Sequence, residues 1–368
     1  GRHGMIRVLH YGMSPNLGGI ETYLLNLART ADPDRFHFDF LYTDLGQLPV
    51  FASELPDSKF YGVTPRRVSP RRNRQDLDRL FADEQFDILH FHANTASYVE
   101  PVKAALRHGV KVVYHSHNAG ASRSRRTRVL HQWNRRTLPW HRITKVAVSR
   151  EAGRWMFGSR PFEVIHNGID VDAFGFRPEA RQRVREELGI TPDALVVGSI
   201  AAFLPAKNHG FLLRVFGEVA RQIPSARLLL VGDGPLEAQV RQQVRDLGLD
   251  QAVLFLGRRP DVPDLLSAMD VLLFPSLHEG LPLATIEAQA SGLLCLLADT
   301  ITPEVGVTPQ CRYLPLSASA KTWAQLLLTA DHMLDRSAGR YAVAARGFSH
   351  SAAVRAVEAL YQQMRTPR

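Results

Sequence analysis

Short runs of apolar and β-branched residues alternate along the chain with longer stretches in which apolar residues recur every three or four positions. The short runs predict strands and the longer stretches predict amphipathic helices. The first predicted strands lie at 6–10, 37–42, 88–92, 111–115, 146–149 and 163–166, with helices at 20–29, 76–83 and 99–107. A second set of strands lies at 195–200, 226–231, 252–256, 271–274 and 293–297. Because strands that alternate with helices favour parallel sheets, the pattern predicts an α/β protein.

The repetition of this pattern predicts two doubly wound parallel-sheet domains in tandem, and a length of 368 residues is typical of two domains. We place an N-terminal domain at 5–172 and a C-terminal domain at 173–345. A helix within 346–368 is expected to pack back on the N-terminal domain. Residues 174–179 have the composition of a linker, and residues 65–74 that of a basic surface loop. Since ligands bind at the carboxyl ends of parallel strands, we expect the site in a cleft between the domains.

The composition, 45% hydrophobic and 22% charged, is that of a folded globular protein. Cys295 and Cys311 lack CxxC spacing and are too few for a disulfide framework, so a reducing cytosol is expected. No run of about 18 apolar residues occurs, which argues against a membrane-spanning helix. The residues before Met5 contain no apolar run and resemble a cloning remnant, so no signal peptide is expected there.

The net charge of +9 is carried by the first half of the chain, where twelve Lys or Arg and no acid lie between Glu100 and Glu151. This basic stretch, 101–150, also contains Trp133 and Trp140, and we expect it to attract an anionic membrane surface or a phosphate-bearing acceptor. A solvated basic face is an equally weighted alternative. No nucleic-acid partner is expected, because no recognition motif accompanies the charge.

Two polar segments follow predicted strands of the first domain. Gly18 and Gly19 lie between the first strand and the first helix, where glycines let a backbone approach a phosphate, although a tight turn would look the same. Histidines occupy the ends of two other strands, at 90, 92, 115 and 117. They suit a zinc site in residue type, but HxxxH spacing and a carboxylate partner are missing, so a polar active-site wall is favoured.

The segment 276–288 carries two carboxylates, Glu279 and Glu287, eight residues apart. Gly280 and Pro282 predict a loop around Glu279 and a helix that starts near Leu283. Free N–H groups of the helix start would then point towards the cleft. A hydrolase acid/base pair and solvated surface acids are the alternatives, and the apolar residues around Glu287 argue against the second.

Taken together and in this order, these segments resemble the retaining glycosyltransferases of family 4, which have the GT-B fold of two facing Rossmann-like domains. The resemblance covers nearly the whole chain. It is carried by residues 18–21, 87–90, 115–118, 164–170, 207–209, 231–236, 255–257 and 279–287. The residues at 207–209 and 287–293 are most similar to enzymes that build capsular polysaccharides or exopolysaccharides.

The resemblance implies that the second domain holds a sugar nucleotide. Glu287 resembles the carboxylate that accepts hydrogen bonds from the ribose hydroxyls, and Glu279 the one that holds hydroxyls of the donor sugar. Lys207 resembles the cation that offsets the diphosphate charge. The remaining donor-binding positions are Gly280, Leu281 and Pro282 near sugar and phosphate, Gly257 and Arg258 near the base, and Gly18 and Gly19 near the phosphates. His117 resembles the strand-end histidine beside the reacting sugar, with His115 the less favoured register, so His117, Glu279 and Lys207 are the expected catalytic residues.

One donor-binding position departs from the family pattern. The family usually carries an Arg five residues before the Lys, and the two cations clamp the diphosphate in place of a metal; here the Arg position is Ala202. Loss of a guanidinium beside the leaving group should reduce transition-state stabilisation unless Arg258, His209 or a first-domain Arg replaces it. A sugar-nucleotide-binding protein with impaired turnover is therefore one alternative function.

The resemblance implies a retaining, metal-independent transferase that moves a sugar from a nucleoside diphosphate, with UDP preferred, to a bacterial glycan or lipid-linked acceptor. No cofactor is expected, since the nucleotide sugar is a substrate. No metal is expected either, because the DxD-like pair Asp76 and Asp78 lies in a first-domain helix. We expect a cytoplasmic protein, with the inner face of the cytoplasmic membrane as its working position. The basic stretch 101–150 also leaves a peripheral membrane adaptor as an alternative.

Overall fold

In the computed structural model of the chain, the structure describes residues 4–14, 19–43, 46–49, 51–117, 124–331 and 335–365. The chain forms two compact units. The first comprises Gly1–Asn167 and His350–Arg368, and the second comprises Gly168–Ser349. The boundary therefore lies five residues before the expected position at 172/173.

The strands of the first unit are β1 (Ile6–Tyr11), β2 (Phe36–Tyr42), β3 (Phe60–Gly62), β4 (Ile88–Ala93), β5 (Lys111–Ser116), β6 (Ile143–Ala147) and β7 (Glu163–Val164). Those of the second unit are β8 (Val196–Ile200), β9 (Arg227–Val231), β10 (Val253–Gly257), β11 (Val271–Phe274), β12 (Leu294–Ala298) and β13 (Cys311–Leu314). The short edge strands β3 and β13 lack a sequence pattern long enough to predict them.

The helices of the first half of the chain are α1 (Gly19–Thr30), α2 (Pro70–Asp83), α3 (Glu100–Arg107), α4 (Arg125–Thr137) and α5 (Arg150–Phe157). The second unit contains α6 (Val171–Phe174), α7 (Pro178–Glu187), α8 (His209–Gln222), α9 (Glu237–Asp246), α10 (Val262–Ala268), α11 (Leu283–Ala290), α12 (Ala320–Thr329) and α13 (Gly339–Ala345). The last helix is α14 (His350–Arg365). Among the described residues, no helix has both the length and the apolar composition that crossing a bilayer requires.

The described part of the first unit forms a parallel sheet of order β3-β2-β1-β4-β5-β6-β7, with apolar clusters on both faces. The strand order reverses between β1 and β4, and this switch point is where doubly wound sheets bind ligands. The register aligns His10 with His90 and His92 with His115 across neighbouring strands. Histidines from three strands therefore meet at the carboxyl end of this sheet.

Helix α14 belongs to the first unit although it ends the chain. Its apolar stripe places Tyr361 against Phe36 and Phe38, and Glu358 accepts a hydrogen bond from the Asp32 amide at 3.2 Å. Burial of one stripe of an amphipathic helix provides the attachment. The helix begins at His350 within the expected range 346–368.

The second unit forms a parallel sheet of order β10-β9-β8-β11-β12-β13 in its described residues. Its four central strands, β8, β9, β11 and β12, are buried on both faces, as near-continuous apolar runs require. The strand order reverses between β8 and β11, so the loops that follow these two strands lie at the switch point. The two sheets confirm the predicted α/β fold of two doubly wound parallel-sheet domains.

Two segments expected to be a loop and a linker differ in the structure. Residues 70–74 of the predicted basic loop form the first turns of α2, because the Ser69 hydroxyl caps the Arg72 amide at 3.2 Å and Pro70 occupies the first turn. Residues 174–179 were expected to be a linker. They run instead from the last residue of α6 through 175–177 into the start of α7, inside the second unit.

Candidate active site

The loops that follow β8 and β11 are joined by hydrogen bonds at the switch point of the second unit. The Leu277 amide donates to the Ala206 carbonyl at 2.8 Å, and Asn208 Nδ2 donates to the Pro275 carbonyl at 3.0 Å. Asn208 adopts a left-handed backbone with φ of 59° between the short 3-10 turn Pro205–Lys207 and α8. A side-chain amide tolerates this conformation better than a β-branched residue would. The local backbone therefore holds Lys207 in one position.

Lys207 and Glu279, two of the three expected catalytic residues, form an ion pair across these loops. Lys207 Nζ contacts Glu279 Oε1, and Ser276 Oγ donates to the same oxygen at 3.0 Å. Lys207 Nζ also lies 5.5 Å from the centroid of the Phe274 ring. The Glu279 side chain is 10% exposed, so little water screens the pair. The sequence prediction placed both residues in the donor site, and the structure brings them together.

Helix α11 begins at Leu283, as predicted, with Gly280, Leu281 and Pro282 in the preceding loop. Glu287 lies within this helix and is partly buried. Burial raises the pKa of the Glu287 carboxyl to about 7, because a charged carboxylate loses water there. Among the described residues no cation is paired with Glu287, which leaves its carboxylate oxygens able to accept hydrogen bonds.

The other expected donor-binding residues of the second unit lie at the same end of its sheet. Ala202 follows β8, and its carbonyl accepts a hydrogen bond from the Leu204 amide at 2.8 Å. Gly257 ends β10 with φ of +67°, which favours glycine. Arg258 extends into solvent, with 83% of its side chain exposed and its Nε 4.0 Å from Asp233.

His209, one expected replacement for the missing cation, is the buried first residue of α8. Its ring lies 4.6 Å from the Phe203 ring, centroid to centroid. Burial, together with the Lys207 charge, lowers the pKa of His209 to about 4. The imidazole is therefore neutral near pH 7 and supplies no positive charge for a diphosphate.

The two phosphate-binding glycines expected in the first unit lie where the described residues resume at position 19. Gly19 is the first residue of α1, and Gly18 lies outside the described residues. Just before them, Gly12 has φ of +137°, and a β-carbon there would lie 2.5 Å from the His92 carbonyl oxygen. Glycine at this position thus lets the loop after β1 pass directly over β4.

Five histidine side chains form a cluster at the carboxyl ends of β1, β4 and β5. Two hydrogen-bonded chains of rings run through it. In one, His10 Nδ1 contacts His92 Nε2 at 3.0 Å and His92 Nδ1 contacts His117 Nε2 at 2.8 Å. In the other, the Tyr361 hydroxyl contacts His90 Nδ1, and His90 Nε2 contacts His115 Nδ1 at 2.9 Å. The four histidines expected to form a polar wall are thereby brought together.

Burial lowers the pKa of His117 and of His10 to about 3, so both rings are neutral near pH 7. A neutral His117 acts through a lone pair or a single N–H. His10 and Tyr23 were not among the site residues predicted from the sequence. The Tyr23 ring packs against the His117 ring, with 5.0 Å between their centroids. The signal for His10 was its position at the end of the first strand, in line with the other strand-end histidines.

Helix α4 places part of the basic stretch on an exposed face. Val129 and Trp133 are 60% and 65% exposed, and a surface groove beside them is lined by Arg125, Arg128, Gln132, Arg136 and Thr137. The opposite face is polar, and Asn134 Nδ2 donates to the Ala96 carbonyl at 2.7 Å. Trp140 does not share the exposed face; it is 4% exposed and packs against Tyr114 and Phe157.

Comparison with known proteins gives matches along most of the chain. Residues 17–173 match the family described as Glycosyltransferase Family 4, and residues 191–329 match the one described as Glycosyl transferases group 1. The chain is 33% identical over 340 residues to EpsF of Bacillus subtilis (strain 168), which covers 88% of this chain and 87% of EpsF.

Two further similarities extend over most of the chain. The chain is 26% identical over 318 residues to UDP-Gal:alpha-D-GlcNAc-diphosphoundecaprenol alpha-1,3-galactosyltransferase of Escherichia coli, covering 81% of this chain and 80% of that protein. The crystal structure of Anabaena Alr3699/HepE in complex with UDP superposes with a TM-score of 0.74 at 20% identity, covering 97% of this chain and 100% of that chain.

The two parallel sheets, their switch-point loops and these similarities define a glycosyltransferase with the GT-B fold. The chain belongs to glycosyltransferase family 4. The family, fold and enzyme class expected from the sequence are therefore confirmed.

Proposed function

We propose that the enzyme transfers a sugar from a UDP-sugar to a lipid-linked glycan acceptor in bacterial polysaccharide synthesis, with retention of the anomeric configuration and without a metal or cofactor. The observation that carries this proposal is the Lys207–Glu279 ion pair at the switch point of the second unit. Beside it stand Glu287 and the start of α11, so one end of the sheet offers a cation, helix N–H groups and two carboxylates. This set matches a diphosphate flanked by two hydroxyl-bearing groups.

In the proposed reaction, Lys207 and helix N–H groups stabilise the diphosphate as it gains charge. Glu287 accepts hydrogen bonds from the ribose, Glu279 holds sugar hydroxyls, and His117 contacts the reacting sugar. The bond between the anomeric carbon and the phosphate oxygen breaks while the acceptor oxygen bonds to the same face of that carbon. The acceptor proton passes to the leaving phosphate oxygen, so no enzyme nucleophile is required.

The choice of UDP is supported by what similar proteins use. The Escherichia coli relative is named for a UDP-galactose donor, and Alr3699/HepE has been solved with UDP and with UDP-glucose. In this chain Gly257 and Arg258 are proposed to contact the base. Arg258 is exposed and weakly paired, and is therefore able to reorient towards a nucleotide.

Two observations support a lipid-linked acceptor. One is the exposed basic face of α4, and the other is the name of the Escherichia coli relative, which specifies a diphosphoundecaprenol-linked acceptor. An acceptor of this kind lies in the membrane, so we place the working enzyme on the cytoplasmic side of that membrane. Arginines beside an exposed Trp are the combination that binds anionic lipid headgroups at an interface.

A donor screen tests the proposal. Thermal unfolding is followed with UDP, GDP and their sugar conjugates, and transfer is then measured with a polyprenyl-diphosphate sugar as acceptor. Binding at 100 times the dissociation constant raises the unfolding free energy by about 2.7 kcal/mol. We expect UDP to stabilise the parent but not Lys207→Ala, and the product to keep the anomeric configuration of the donor by NMR. Stabilisation by GDP alone would contradict the choice of base, and an inverted product would contradict the mechanism.

A second candidate function is sugar-nucleotide binding without efficient turnover, and Ala202 is the observation that favours it. The described residues of the second unit place no buried guanidinium at this position, and His209 is neutral. Single-turnover transfer from a bound UDP-sugar decides between the two functions. Donor binding with no transfer or hydrolysis above background would establish the second.

A further inference from the structure

The histidine cluster of the first unit leaves two ring nitrogens unused. Within the described part of the chain, His115 Nε2 and His10 Nε2 are buried and have no hydrogen-bond partner. A buried polar atom without a partner costs about 1–3 kcal/mol and calls for a ligand or another explanation. Each of the two imidazole chains therefore contains a nitrogen that could bind something the structure does not contain.

Three of the rings converge. One ring nitrogen from each of His92, His115 and His117 lies within 4.8 Å of those from the other two. Ligand nitrogens of a tetrahedral zinc site stand about 3.3 Å apart, given Zn–N bonds of about 2.0–2.1 Å. Binding a zinc ion would require the three side chains to rotate until their nitrogens reach that spacing. We propose that His92, His115 and His117 bind a zinc ion, with a fourth position left for water.

The hydrogen bonds of the cluster select which nitrogens would bind. His115 Nδ1 and His92 Nε2 are already bonded to His90 and His10, which leaves His115 Nε2 and His92 Nδ1 for the metal. His117 contributes Nε2, the atom that now contacts His92. Its proton then resides on Nδ1, so three neutral imidazoles bind zinc without net proton release.

The same contacts supply the outer support that metal-binding histidines normally have. His90 orients His115 and is itself held by the Tyr361 hydroxyl from α14, while His10 orients His92. Metal-binding imidazoles almost always have their second nitrogen bonded in this way. Because the ligands project from the ends of adjacent strands, the helical HxxxH spacing that the sequence lacks is not required.

The cluster is reached through His117. This residue follows β5 and is partly exposed, whereas His92 and His115 are buried. Imidazole ligands suit zinc and other late first-row ions rather than magnesium or calcium, which prefer oxygen. Zinc would also hold His117, which the proposed function assigns to the reacting sugar, so zinc is expected to inhibit transfer, a step that rests on the proposed function.

Equilibrium dialysis of the full chain against zinc, with bound metal counted by atomic emission, tests the site. We expect one zinc per chain, and binding weaker by at least about 100-fold in His115→Gln. His90→Phe, which removes an orienting contact only, is expected to weaken binding by about 10- to 100-fold. His131→Gln is the matched control, because His131 is buried in the same unit outside the cluster and should leave zinc binding unchanged. Circular dichroism confirms that each variant is folded.

Cobalt(II) provides a second measurement, since a tetrahedral site gives intense visible absorption that His115→Gln should abolish. Equal zinc binding by parent and His115→Gln, or none by the folded parent, would overturn the site. Binding is measured without donor, so it stands or falls independently of the transferase proposal. If zinc binds as expected but leaves transfer unchanged in an active enzyme, the inhibition is refuted while the site remains.

Discussion

Lys207 and Glu279 form an ion pair that connects the loop after β8 with the loop after β11. The two groups proposed to contact the diphosphate and the sugar thus neutralise each other. In the proposed reaction, a bound donor replaces this single contact with two, one to each charge, and the low exposure of Glu279 makes both stronger than they would be in water. The pair therefore helps to hold the loops after β8 and β11 together at the switch point.

Removing each of the two carboxylates of the proposed donor site should change a different quantity, donor affinity or kcat. We expect Glu287→Ala to weaken donor binding by about 100-fold, because hydrogen bonds to the ribose are lost in ground state and transition state alike. Glu279→Ala should instead reduce kcat by about 100- to 1000-fold, because its contacts strengthen where charge develops. Calorimetry measures donor affinity and steady-state kinetics measure kcat, so together they distinguish the effects of the two substitutions.

The matched control for both substitutions is Asp246→Ala, which removes an exposed carboxylate at the end of α9. It should change neither affinity nor kcat. Unchanged nucleotide affinity in Glu287→Ala would refute its assignment to the ribose.

Donor affinity should depend on pH through Glu287. Burial raises the pKa of this carboxyl to about 7, and ribose hydroxyls need the ionised form as acceptor. Affinity for UDP is therefore expected to fall as pH drops below about 7 and to lose this dependence in Glu287→Gln. Titration calorimetry across this range measures the effect, and identical pH profiles for parent and variant would contradict it.

The same raised pKa has the opposite effect on folding stability, because higher pH favours donor binding but lowers the unfolding free energy. Between the ordinary carboxyl pKa of 4.5 and about 7, the folded protein binds more protons at Glu287 than the unfolded chain does. The unfolding free energy therefore falls as pH rises through that window. Glu287→Gln escapes this loss. The unfolding free energy of Glu287→Gln, relative to that of the parent, should rise by about 1–2 kcal/mol between about pH 5.5 and about pH 8.5. Urea unfolding at each pH measures this difference.

Restoring the family's arginine should raise turnover. Ala202→Arg is expected to increase kcat by about 10- to 1000-fold, equivalent to about 1.4–4 kcal/mol, because His209 is neutral and Arg258 is solvent-exposed. The Ala201→Gly/Ala202→Arg double variant tests whether the neighbouring β-carbon obstructs the guanidinium. Equal turnover in all three enzymes would show that another cation already serves the diphosphate.

Transfer should survive excess EDTA, since Lys207 and helix N–H groups are proposed to replace a metal. The DxD-like pair in α2 is already engaged: Asp76 Oδ2 accepts from the Thr64 amide at 2.8 Å, and Asp78 pairs with Arg107 at 2.9 Å. Asp76→Asn should accordingly leave kcat unchanged. Loss of activity in EDTA that manganese or magnesium restores would refute the metal-independent mechanism.

Binding to anionic vesicles should depend on the exposed face of α4. Replacing Arg125, Arg128 and Arg136 with Gln should weaken partition by about 100-fold at low salt, at about 1 kcal/mol per arginine, and remove its salt dependence. Trp133→Ser should weaken binding at every salt concentration. The control replaces three exposed arginines of the second unit, at positions 183, 221 and 241. Equal partition to neutral and anionic vesicles would refute the electrostatic contribution.

Much of the candidate site was predictable because its residues occupy strand ends and loops that the sequence marks clearly. Glu279, Pro282 and the start of α11 at Leu283 were placed correctly from Gly and Pro signals alone. The Lys207–Glu279 contact was not predictable as a pair, since 72 residues separate the two and only the neighbouring positions of β8 and β11 in the sheet bring them together. Burial of His209, which removes its charge, likewise depends on contact with Phe203.

The amino-acid sequence was sufficient to determine the two parallel sheets, because these follow from local apolar spacing, and its ordered short motifs carried the resemblance to the family. The donor-site residues inferred from that resemblance stay a prediction. Tertiary structure alone decided which groups share an environment. It buries Trp140 and leaves Trp133 exposed on α4, since His131 and Asn134 face inwards to satisfy the backbone of Ala96. It also gathers five histidines from three strands, because parallel register brings residues distant in sequence to one sheet end.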